Sequence, residues 1–330
     1  MKKYRKLKVV FIILAIIAST ALALNTYLNS ILDQVDRQPI IDVDDANIAD
    51  EIIEKNKEVN IINIALFGAD NDGNKSAELR SDAIKIISID MTNKTIKMSS
   101  LERDLVVWIP KSTPAYGHLN WAYWFGKGEL AVKTINYNFD MDITKYAAVS
   151  FDSVIKIVDL VGGVEIKLTR SEMNVLKLTG AVGVHKLDGK LALAYSRIRK
   201  IDDDYHRMQR QQKVIDAVIA KVADLPYDKL LGFITNAMQY ITTNITNAEI
   251  KDLAFKLINF DLDIETYQVP VGGYKDTCTC PRLGGYLVTD FVAMSQGLHD
   301  FIYGEGFYKP SKNLIDNATA IYEKYGVCVK

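Results

Sequence analysis

The chain has 330 residues, a formal net charge of −1, 48% hydrophobic residues and 25% charged residues. These fractions are ordinary for a folded protein, and they exclude wholesale disorder and a collagen-like repeat. Three cysteines are too few for a disulfide scaffold or a four-cysteine zinc module, and the balanced charge argues against bulk attraction to nucleic acid. The length suits one large domain or two average ones.

The N-terminus carries a pattern that is typical of a membrane anchor. Residues 1–8 hold five basic residues and no acid, and a charge-free, strongly apolar stretch follows them. A helix needs about 20 residues to cross a bilayer, so we predict a transmembrane helix over residues 9–28. The basic flank stays in the cytoplasm, which places the main domain on the other side. Ala21-Leu22-Ala23 also fits a signal-peptide cleavage site, so a cleaved leader remains an alternative.

Charge is divided unevenly along the chain. Five of the 40 lysines and arginines lie in the basic tail, which leaves 35 against 41 acidic residues and a charge of −6 on the rest of the chain. This acidic exterior argues against a DNA-binding regulator. Residues 29–58 are polar and acidic, and we interpret them as a stalk or a peripheral helix that precedes one domain over residues 59–330.

From residue 60 onward, short apolar runs alternate with segments of helical spacing. Apolar runs that end at glycine or turn residues predict buried strands, and the 3.6-residue periodicity predicts helices between them. The predicted strands cover residues 61–67, 83–89, 95–101, 164–168 and 265–271. The predicted helices cover residues 129–138, 153–160, 190–195 and 205–222, and residues 226–260 are helical with breaks. This alternation indicates an α/β fold whose central mixed sheet has helices on both faces.

The loop after the first predicted strand is acidic and rich in glycine. Asp70 lies in this loop, and Asp82 begins the next strand. Because α/β folds place ligand sites at strand ends, the two carboxylates are candidates to hold a hard divalent cation. Mg²⁺ is preferred, since it takes one or two carboxylates together with phosphate oxygens and water. The alternatives are that these aspartates only form turns, or that they belong to a calcium loop.

A second candidate site follows the predicted strand 95–101. Arg103 and Asp104 come directly after this strand. Arg103 is expected either to pair with Asp104 or another neighbour, or to bind an anion, and the residues leave both interpretations open.

The third candidate site is the richest in arginine. Arg197 and Arg199 are two residues apart, so both point to one side of an extended chain. Arg207, Arg210 and Gln211 follow in the first turns of the long predicted helix. A helix N-terminus favours anions, and guanidinium groups bind phosphate oxygens in a fork. The pattern predicts a diphosphate site, and the alternative is a solvated basic turn offset by neighbouring aspartates.

Other chemistry-bearing residues carry weaker signals. The four histidines show no metal-ligand spacing, and Trp121 and Trp124 are expected in the core. Cys278 and Cys280 are too close for an easy mutual disulfide. Outside the cytoplasm, either is a candidate partner for Cys328.

These residues together resemble the LytR–CpsA–Psr family of cell-wall glycopolymer ligases. The basic start and the single anchor helix are also typical of that family, and the match covers residues 60–225. It departs at His118, where the family more often has lysine, and at Glu102, where proline is common. The matching segments are Leu66-Phe67-Gly68-Ala69-Asp70, Arg80-Ser81-Asp82, Ser100-Leu101-Glu102-Arg103-Asp104, Leu119-Asn120-Trp121-Ala122-Tyr123, Val161-Gly162-Gly163-Val164, and the run from Leu187-Asp188-Gly189 through Tyr195-Ser196-Arg197-Ile198-Arg199 to Arg207-Met208-Gln209-Arg210-Gln211.

The resemblance implies an extracytoplasmic phosphotransferase in the cell membrane of a bacterium with a Gram-positive type of wall. Such an enzyme moves a glycopolymer, for example teichoic acid or capsular polysaccharide, from a polyprenyl diphosphate carrier to peptidoglycan and forms a phosphodiester. The implied partners are the lipid-linked glycopolymer, peptidoglycan and the cytoplasmic membrane, with no nucleic acid. A non-catalytic membrane regulator that binds the same lipid, or a polyprenyl diphosphate hydrolase, is the alternative.

The resemblance also assigns roles to individual residues. Asp70 and Asp82 would bind Mg²⁺, and a hydrophobic pocket in the α/β core would take the polyprenyl tail. Asp104 and Asp70 are the candidate bases for the acceptor hydroxyl. The implied diphosphate ligands are Arg80, Arg103, Arg197, Arg199, Arg207, Arg210 and Gln211. The implied catalytic set is Asp70, Asp82, Arg103, Asp104, Arg197 and Arg199.

Overall fold

The computed structural model describes most of the chain from residue 25 onward. Described are residues 19, 22–23, 25–69, 80–202, 204–257, 260, 264–271, 278–279 and 287–326. Most of the predicted membrane-spanning segment lies outside them, as do Asp70, Cys280 and Cys328 and the side chain of Cys278. Within the described ranges, no helix combines the length and the apolar character that crossing a membrane requires.

The described chain alternates short strands and helices. The strands are β1 (Asp36–Arg37), β2 (Ile61–Ala69), β3 (Ser81–Asp90), β4 (Thr95–Leu101), β5 (Val106–Ile109), β6 (Ala115–His118), β7 (Lys145–Ser150), β8 (Val164–Leu168), β9 (Gly183–Leu187), β10 (Thr242–Thr243), β11 (Ile264–Val269), β12 (Cys278–Thr279) and β13 (Leu287–Val288). The helices are α1 (Asp50–Asn56), α2 (Leu119–Phe139), α3 (Phe151–Leu160), α4 (Arg170–Val175), α5 (Gly189–Ser196), α6 (Asp204–Ala223), α7 (Tyr227–Ala237), α8 (Asn247–Leu257), α9 (Phe291–Tyr303) and α10 (Lys312–Tyr325).

A seven-stranded sheet forms the centre of the fold, in the order β1-β10-β7-β2-β3-β4-β11. Strand β2 is antiparallel to β3 and parallel to β7, while β4 is antiparallel to β3 and parallel to β11. The sheet therefore combines parallel and antiparallel pairs. The predicted α/β class, with a mixed central sheet and flanking helices, is confirmed.

The central strands form where the sequence is continuously apolar, because both faces of the sheet are covered. Ile64 and Ala65 of β2 are adjacent, so they point to opposite faces, and both are buried. Strands β4 and β8 match their predicted ranges, and β2 and β3 extend one or two residues beyond theirs. The hydrophobic runs of the sequence therefore located β2, β3 and β4, whereas β7, which lies between β10 and β2 in the sheet, was not predicted.

One face of the sheet is packed against α2, α9 and α10, and we call it the closed face. Its side chains belong to one large hydrophobic cluster, in which Phe67, Ile86 and Leu101 from the sheet meet Ile135 and Phe139 from α2. The rings of Phe139 and Phe291 lie 6.1 Å apart between centroids. This face supplies the main core of the domain.

The opposite face carries the alternate side chains of the same strands, and we call it the open face. Helices α3, α5 and α6 lie over it, and a second apolar cluster joins them to β8 and β9. At one end of this face, Ile250 and Leu253 of α8 pack against the cluster of Ile64 and Ile89. A cavity remains between the open face and the helices, as described below.

The segment that the sequence predicts as a stalk or a peripheral helix takes part in the fold. Strand β1 pairs with β10 at the edge of the sheet, and α1 provides the peripheral helix. In addition, Ile41 and Ala46 join the core of the closed face. A few side chains of this segment are fully buried. Because these apolar residues are sparse and irregularly spaced, the sequence pattern of the segment indicates a polar surface element.

Hydrogen bonds attach the start of the described chain to α8. Residues 25–32 are helical. Lys251 Nζ donates to Asn25 Oδ1 at 2.7 Å and to Asn29 Oδ1 at 3.0 Å, and Asn247 Nδ2 donates to Asp33 Oδ1 at 2.7 Å. The N-terminal helical segment therefore runs along the domain instead of leaving it directly.

Helix α2 begins ten residues earlier than the predicted range of 129–138. It starts at Leu119, and its backbone is non-helical at Gly126 and Lys127, where the axis kinks. Glycine is a poor helix former, so the two glycines of this stretch conceal the first half of the helix in the sequence.

Candidate functional site

A charged crevice lies where β2 and β4 end and β3 begins. Antiparallel pairing produces this meeting point, since Ala83 at the start of β3 lies beside Gly68 and Ile84 lies beside Leu101. The residues that line the crevice include Asp82, Lys85, Arg103, Arg207 and Gln211. Four of these five residues come from the predicted site.

Asp82 lies at the centre of the charged groups. Its Oδ1 accepts a hydrogen bond from Arg103 Nη1, and its Oδ2 lies 3.5 Å from Arg199 Nη2. Arg103 also reaches Asp104, with 3.4 Å between Nε and Oδ2. Arg103 therefore pairs with neighbouring carboxylates and lines the crevice at the same time, so the two interpretations that the sequence left open are compatible.

Asp104 also contacts His118, the residue at which the sequence departs from the family pattern. His118 Nδ1 lies 3.2 Å from the backbone oxygen of Asp104 and 3.7 Å from its Oδ1. Burial lowers the pKa of His118, Arg103 and Arg80 act in the same direction, and Asp104 opposes them. The imidazole is therefore mainly neutral at pH 7, unlike the lysine that is more common at this position.

Arg80 lies against an aromatic cluster at the start of α2. Its guanidinium carbon is 6.0 Å from the ring centroid of Trp121 and 5.4 Å from that of Trp124, within the range of cation–π contacts. Trp121 also packs against the main core. The prediction that these tryptophans are core residues therefore missed their contact with a predicted site arginine.

Arg197 and Arg199 lie on the exposed side of the segment after α5, with Ile198 buried between them. The guanidinium of Arg197 lies over the ring of Phe151, 4.6 Å from its centroid, and Arg199 reaches Asp82. The two arginines therefore share one side of the chain, as the spacing predicts.

Arg207 and Arg210 are both buried, but they face different surroundings. Arg207 lines the charged crevice. Arg210 donates through Nη1 and Nη2 to the two carboxylate oxygens of Asp202, at 2.7 and 2.6 Å, and through Nη2 to the Ile198 carbonyl at 2.7 Å. We call this pairing the Arg210–Asp202 clasp. Unlike Arg207, Arg210 is not among the residues that line the crevice, and its Nη1 also lies 3.7 Å from Glu172 Oε1.

An apolar cavity of about 220 Å³ lies between the open face and its helices. It corresponds to the hydrophobic pocket that the family resemblance implies. The residues that line it are Leu66, Phe67, Gly68, Ala83, Lys85, Ala147, Val149, Phe151, Val154, Leu193, Ser196, Gln211, Val214 and Ile215. Ala83, Lys85 and Gln211 line the charged crevice as well, so the two spaces adjoin.

Lys85 is a site residue that sequence reasoning missed. Its Nζ donates to Ser100 Oγ at 2.6 Å and to Gln212 Oε1 at 2.9 Å. Burial lowers the pKa of Lys85 to about 8, although the nearby Asp216 acts in the opposite direction. The available signal was a lysine in the middle of the apolar run 83–89, where a charged side chain is costly.

The predicted metal ligands can be located only in part. Asp82 lies in the crevice, whereas Asp70 is outside the described residues. Among the residues that the structure does describe, no group of three or more acidic, histidine or cysteine side chains is placed to hold a metal ion.

The site combines an apolar cavity with a cluster of guanidinium groups. In an α/β protein, such a site suits an amphipathic ligand with an anionic head. Comparison with known families agrees with this description. The model of the LytR_cpsA_psr family matches residues 25–281, and the chain belongs to this family.

Individual relatives resemble the chain over most of its length. The polyisoprenyl-teichoic acid–peptidoglycan teichoic acid transferase TagU of Bacillus mycoides (strain KBAB4) is 31% identical over 285 residues, which cover 82% of this chain and 90% of TagU. The crystal structure of protein gbs0355 from Streptococcus agalactiae has a TM-score of 0.63 and 25% identity, covering 80% of this chain and 92% of that one. TagT of Bacillus subtilis with bound octaprenyl pyrophosphate has a TM-score of 0.52 at 23% identity, covering 81% and 91%, and shares the fold.

Proposed function

We propose that the chain transfers a glycopolymer from a polyprenyl diphosphate carrier to peptidoglycan and forms a phosphodiester. The observation that carries this proposal is the junction of an apolar cavity with a crevice rich in guanidinium groups, at Ala83, Lys85 and Gln211. A lipid diphosphate has the same two parts in the same order. Its hydrocarbon tail gains from leaving water, and its oxygens gain charge-assisted hydrogen bonds.

The position of each arginine supports a part in holding the diphosphate. Arg103 and Arg207 line the crevice itself. Arg199 adjoins it through Asp82, and Arg197 lies at the cavity wall over Phe151. Arg80 lies beside the aromatic side chains of α2. Arg210 has a different part, since the Arg210–Asp202 clasp fixes the first turns of α6, which carry Arg207 and Gln211.

The reaction needs positioning and charge neutralisation more than a protein nucleophile. The hydroxyl oxygen of the acceptor sugar forms a bond to the phosphorus that bears the glycopolymer. The bond from that phosphorus to the bridging oxygen breaks, and its electron pair leaves with the polyprenyl phosphate. The hydroxyl proton passes to a base, for which Asp104 and Asp70 are the candidates. The arginines stabilise the charge that develops on the phosphate oxygens.

We propose that Asp82 and Asp70 hold a Mg²⁺ ion whose remaining ligands are substrate phosphate oxygens and water. The carboxylate of Asp82 is a hard oxygen ligand in a crevice whose other charged side chains are cationic, and Asp70 is proposed as the second ligand. Mg²⁺ often keeps several waters and uses one or two carboxylates together with substrate phosphates, so a three-carboxylate cluster is not required. When bound, the ion would help to neutralise the diphosphate.

The names of relatives support the substrate class. TagU is named for the transfer of teichoic acid from a polyisoprenyl carrier to peptidoglycan, and TagT has been crystallised with octaprenyl pyrophosphate. We further propose that residues 9–28 anchor the protein in the cytoplasmic membrane, with residues 1–8 in the cytoplasm and the domain outside. The carrier lipid and the peptidoglycan acceptor would then both be within reach.

A reconstituted transfer assay tests the proposal. The full chain is incubated with a lipid-linked teichoic acid precursor, a peptidoglycan oligomer and Mg²⁺, and covalent attachment and released polyprenyl phosphate are both measured. We expect attachment with the wild type, and a loss of roughly 100-fold or more with Arg197→Ala or Asp82→Asn. Arg170→Ala is the matched control, because Arg170 bonds to the Gly180 carbonyl on the surface.

The same assay separates the alternatives. Release of polyprenyl phosphate at equal rates with and without the peptidoglycan oligomer would identify a hydrolase. Tight binding of the lipid without any turnover would identify a non-catalytic regulator. A folded Arg197→Ala variant with full transfer activity would contradict the assignment of this residue.

A further inference from the structure

Lys85 lies at the boundary between the charged crevice and the apolar cavity, and the mechanism above does not use it. The residue is only 3% exposed. Together with Ala83 and Gln211, it lines both spaces. Its side chain therefore lies where the two spaces adjoin.

Residues that lie side by side on neighbouring strands change from apolar to polar at Lys85. Strand register places Ala147 beside Leu66, Leu66 beside Lys85, and Lys85 beside Ser100. Ala147 and Leu66 line the cavity, whereas Ser100 lines the crevice. Because Lys85 Nζ bonds to Ser100 Oγ, the ammonium group lies toward the crevice, at the point where the apolar lining ends.

The ammonium group of Lys85 is incompletely compensated by its described surroundings. Its hydrogen-bond acceptors there, Ser100 and Gln212, are neutral. The acid that acts on its pKa is Asp216, which accepts a 2.7 Å hydrogen bond from Gln212 Nε2. A buried cation is costly without an anion or good acceptors, and burial indeed lowers its pKa. A phosphate at the mouth of the cavity would supply the missing negative charge.

We propose that Lys85 binds the phosphate that carries the polyprenyl chain, where the chain enters the cavity. This inference rests on the proposed function and extends it to a residue outside the family motifs. The arginines hold the diphosphate as a whole, and Lys85 contacts its lipid-side phosphate. When the bond to the bridging oxygen breaks, the electron pair stays on that phosphate, and the ammonium group stabilises the added charge.

Binding of three ligands that share one hydrocarbon chain tests the assignment. Octaprenyl diphosphate, octaprenyl monophosphate and octaprenol are titrated in detergent against the full chain and its Lys85→Met variant. We expect Lys85→Met to lower the affinity for the octaprenyl diphosphate and for the monophosphate by roughly tenfold, since a hydrogen bond to a charged group is lost. The affinity for octaprenol should stay within about twofold, because methionine keeps an apolar stem of similar length.

Two further variants keep the test interpretable. Lys85→Gln removes the charge but keeps a polar end for Ser100, and it should reproduce the losses of Lys85→Met. Lys97→Met is the matched control on β4, because the ammonium of Lys97 bonds to the Phe301 carbonyl at 2.7 Å on the closed face. It should leave all three affinities unchanged.

The outcomes separate the inference from the proposed function. Unchanged phosphate binding by Lys85→Met, or an equal loss for octaprenol, would overturn the role of Lys85 while leaving the proposed function in place. A wild-type chain that binds none of the three ligands would overturn the proposed function, and the inference with it.

Discussion

The closed and open faces of the central sheet are packed in different ways. On the closed face, side chains such as Phe139 and Ile86 are fully enclosed by one apolar cluster. On the open face, the Arg210–Asp202 clasp and the Lys85 hydrogen bonds fix α6 beside a cavity of about 220 Å³. The closed face therefore contributes most of the stability of the sheet, whereas the open face leaves space for a ligand.

The largest difference between the faces should appear when buried side chains are shortened. Phe139→Ala on the closed face should lower the free energy of unfolding by about 4 kcal/mol, because it leaves a large void in a packed core. Val154→Ala on the open face should cost about 1 kcal/mol, since Val154 already borders empty space. Urea denaturation followed by circular dichroism measures both values. Equal losses would remove the distinction between the faces.

The clasp is expected to be the main polar support of the open face. Asp202→Ala should lower the free energy of unfolding by about 3 kcal/mol, because the buried guanidinium of Arg210 loses its short hydrogen bonds to Asp202 and keeps only Glu172, at 3.7 Å, as a carboxylate neighbour. Arg199→Met is the comparison, since its side chain is 51% exposed, and we expect a change within about 0.5 kcal/mol. Similar values for the two variants in urea denaturation would mean that the clasp is dispensable.

Two adjacent alanines of β7 allow the faces to be compared at one place in the chain. Ala148 joins the core of the closed face, and Ala147 lines the cavity. Ala148→Phe should destabilise the fold by about 2–3 kcal/mol through overpacking. Ala147→Phe should cost less than about 1 kcal/mol but should weaken octaprenyl diphosphate binding at least tenfold, because the ring fills the cavity. Thermal unfolding measures the stability of both variants, and lipid titration measures their affinity for octaprenyl diphosphate. Equal stabilities and equal affinities would contradict the prediction.

The smallest expected effect is the pH dependence that Lys85 contributes. Burial lowers its pKa from 10.5 to about 8, so above pH 8 the unfolded chain binds more protons at this residue than the folded one. Stability from Lys85 therefore rises with pH, by about 2 kcal/mol between pH 7 and pH 10. The stability of the wild type relative to Lys85→Met should increase by this amount in urea denaturation. A difference that is constant with pH would contradict the prediction.

The sequence predicted β2, β3, β4, β8 and β11, but it did not predict β7, which lies inside the sheet between β10 and β2. Strands β4 and β8 could be located to the residue because each follows a turn and carries regularly spaced apolar residues that are buried. Strands β1 and β10 could not, since each contributes only two polar or charged residues to the sheet. Short edge strands are held by backbone pairing, which leaves no hydrophobic period in the sequence.

The candidate site was predictable in composition but not in the direction of each side chain. The sequence places Arg207 and Arg210 in the same helical turns, yet only the folded structure turns Arg210 to Asp202 and leaves Arg207 in the crevice. Lys85 was missed for a related reason. Strand periodicity predicts which face a residue occupies, but whether that face is packed or open depends on helices that come much later in the chain.

The attachment of residues 25–33 to α8 has a consequence for how the domain is carried. If the apolar segment before Asn25 crosses the bilayer, the hydrogen bonds of Lys251 to Asn25 and of Asn247 to Asp33 leave almost no free chain between anchor and domain. The domain would then be held at a fixed distance from the membrane and in a fixed orientation to it. The distance at which the domain can reach peptidoglycan would then depend on the length of the lipid-linked glycopolymer. A flexible linker between anchor and domain would not extend it.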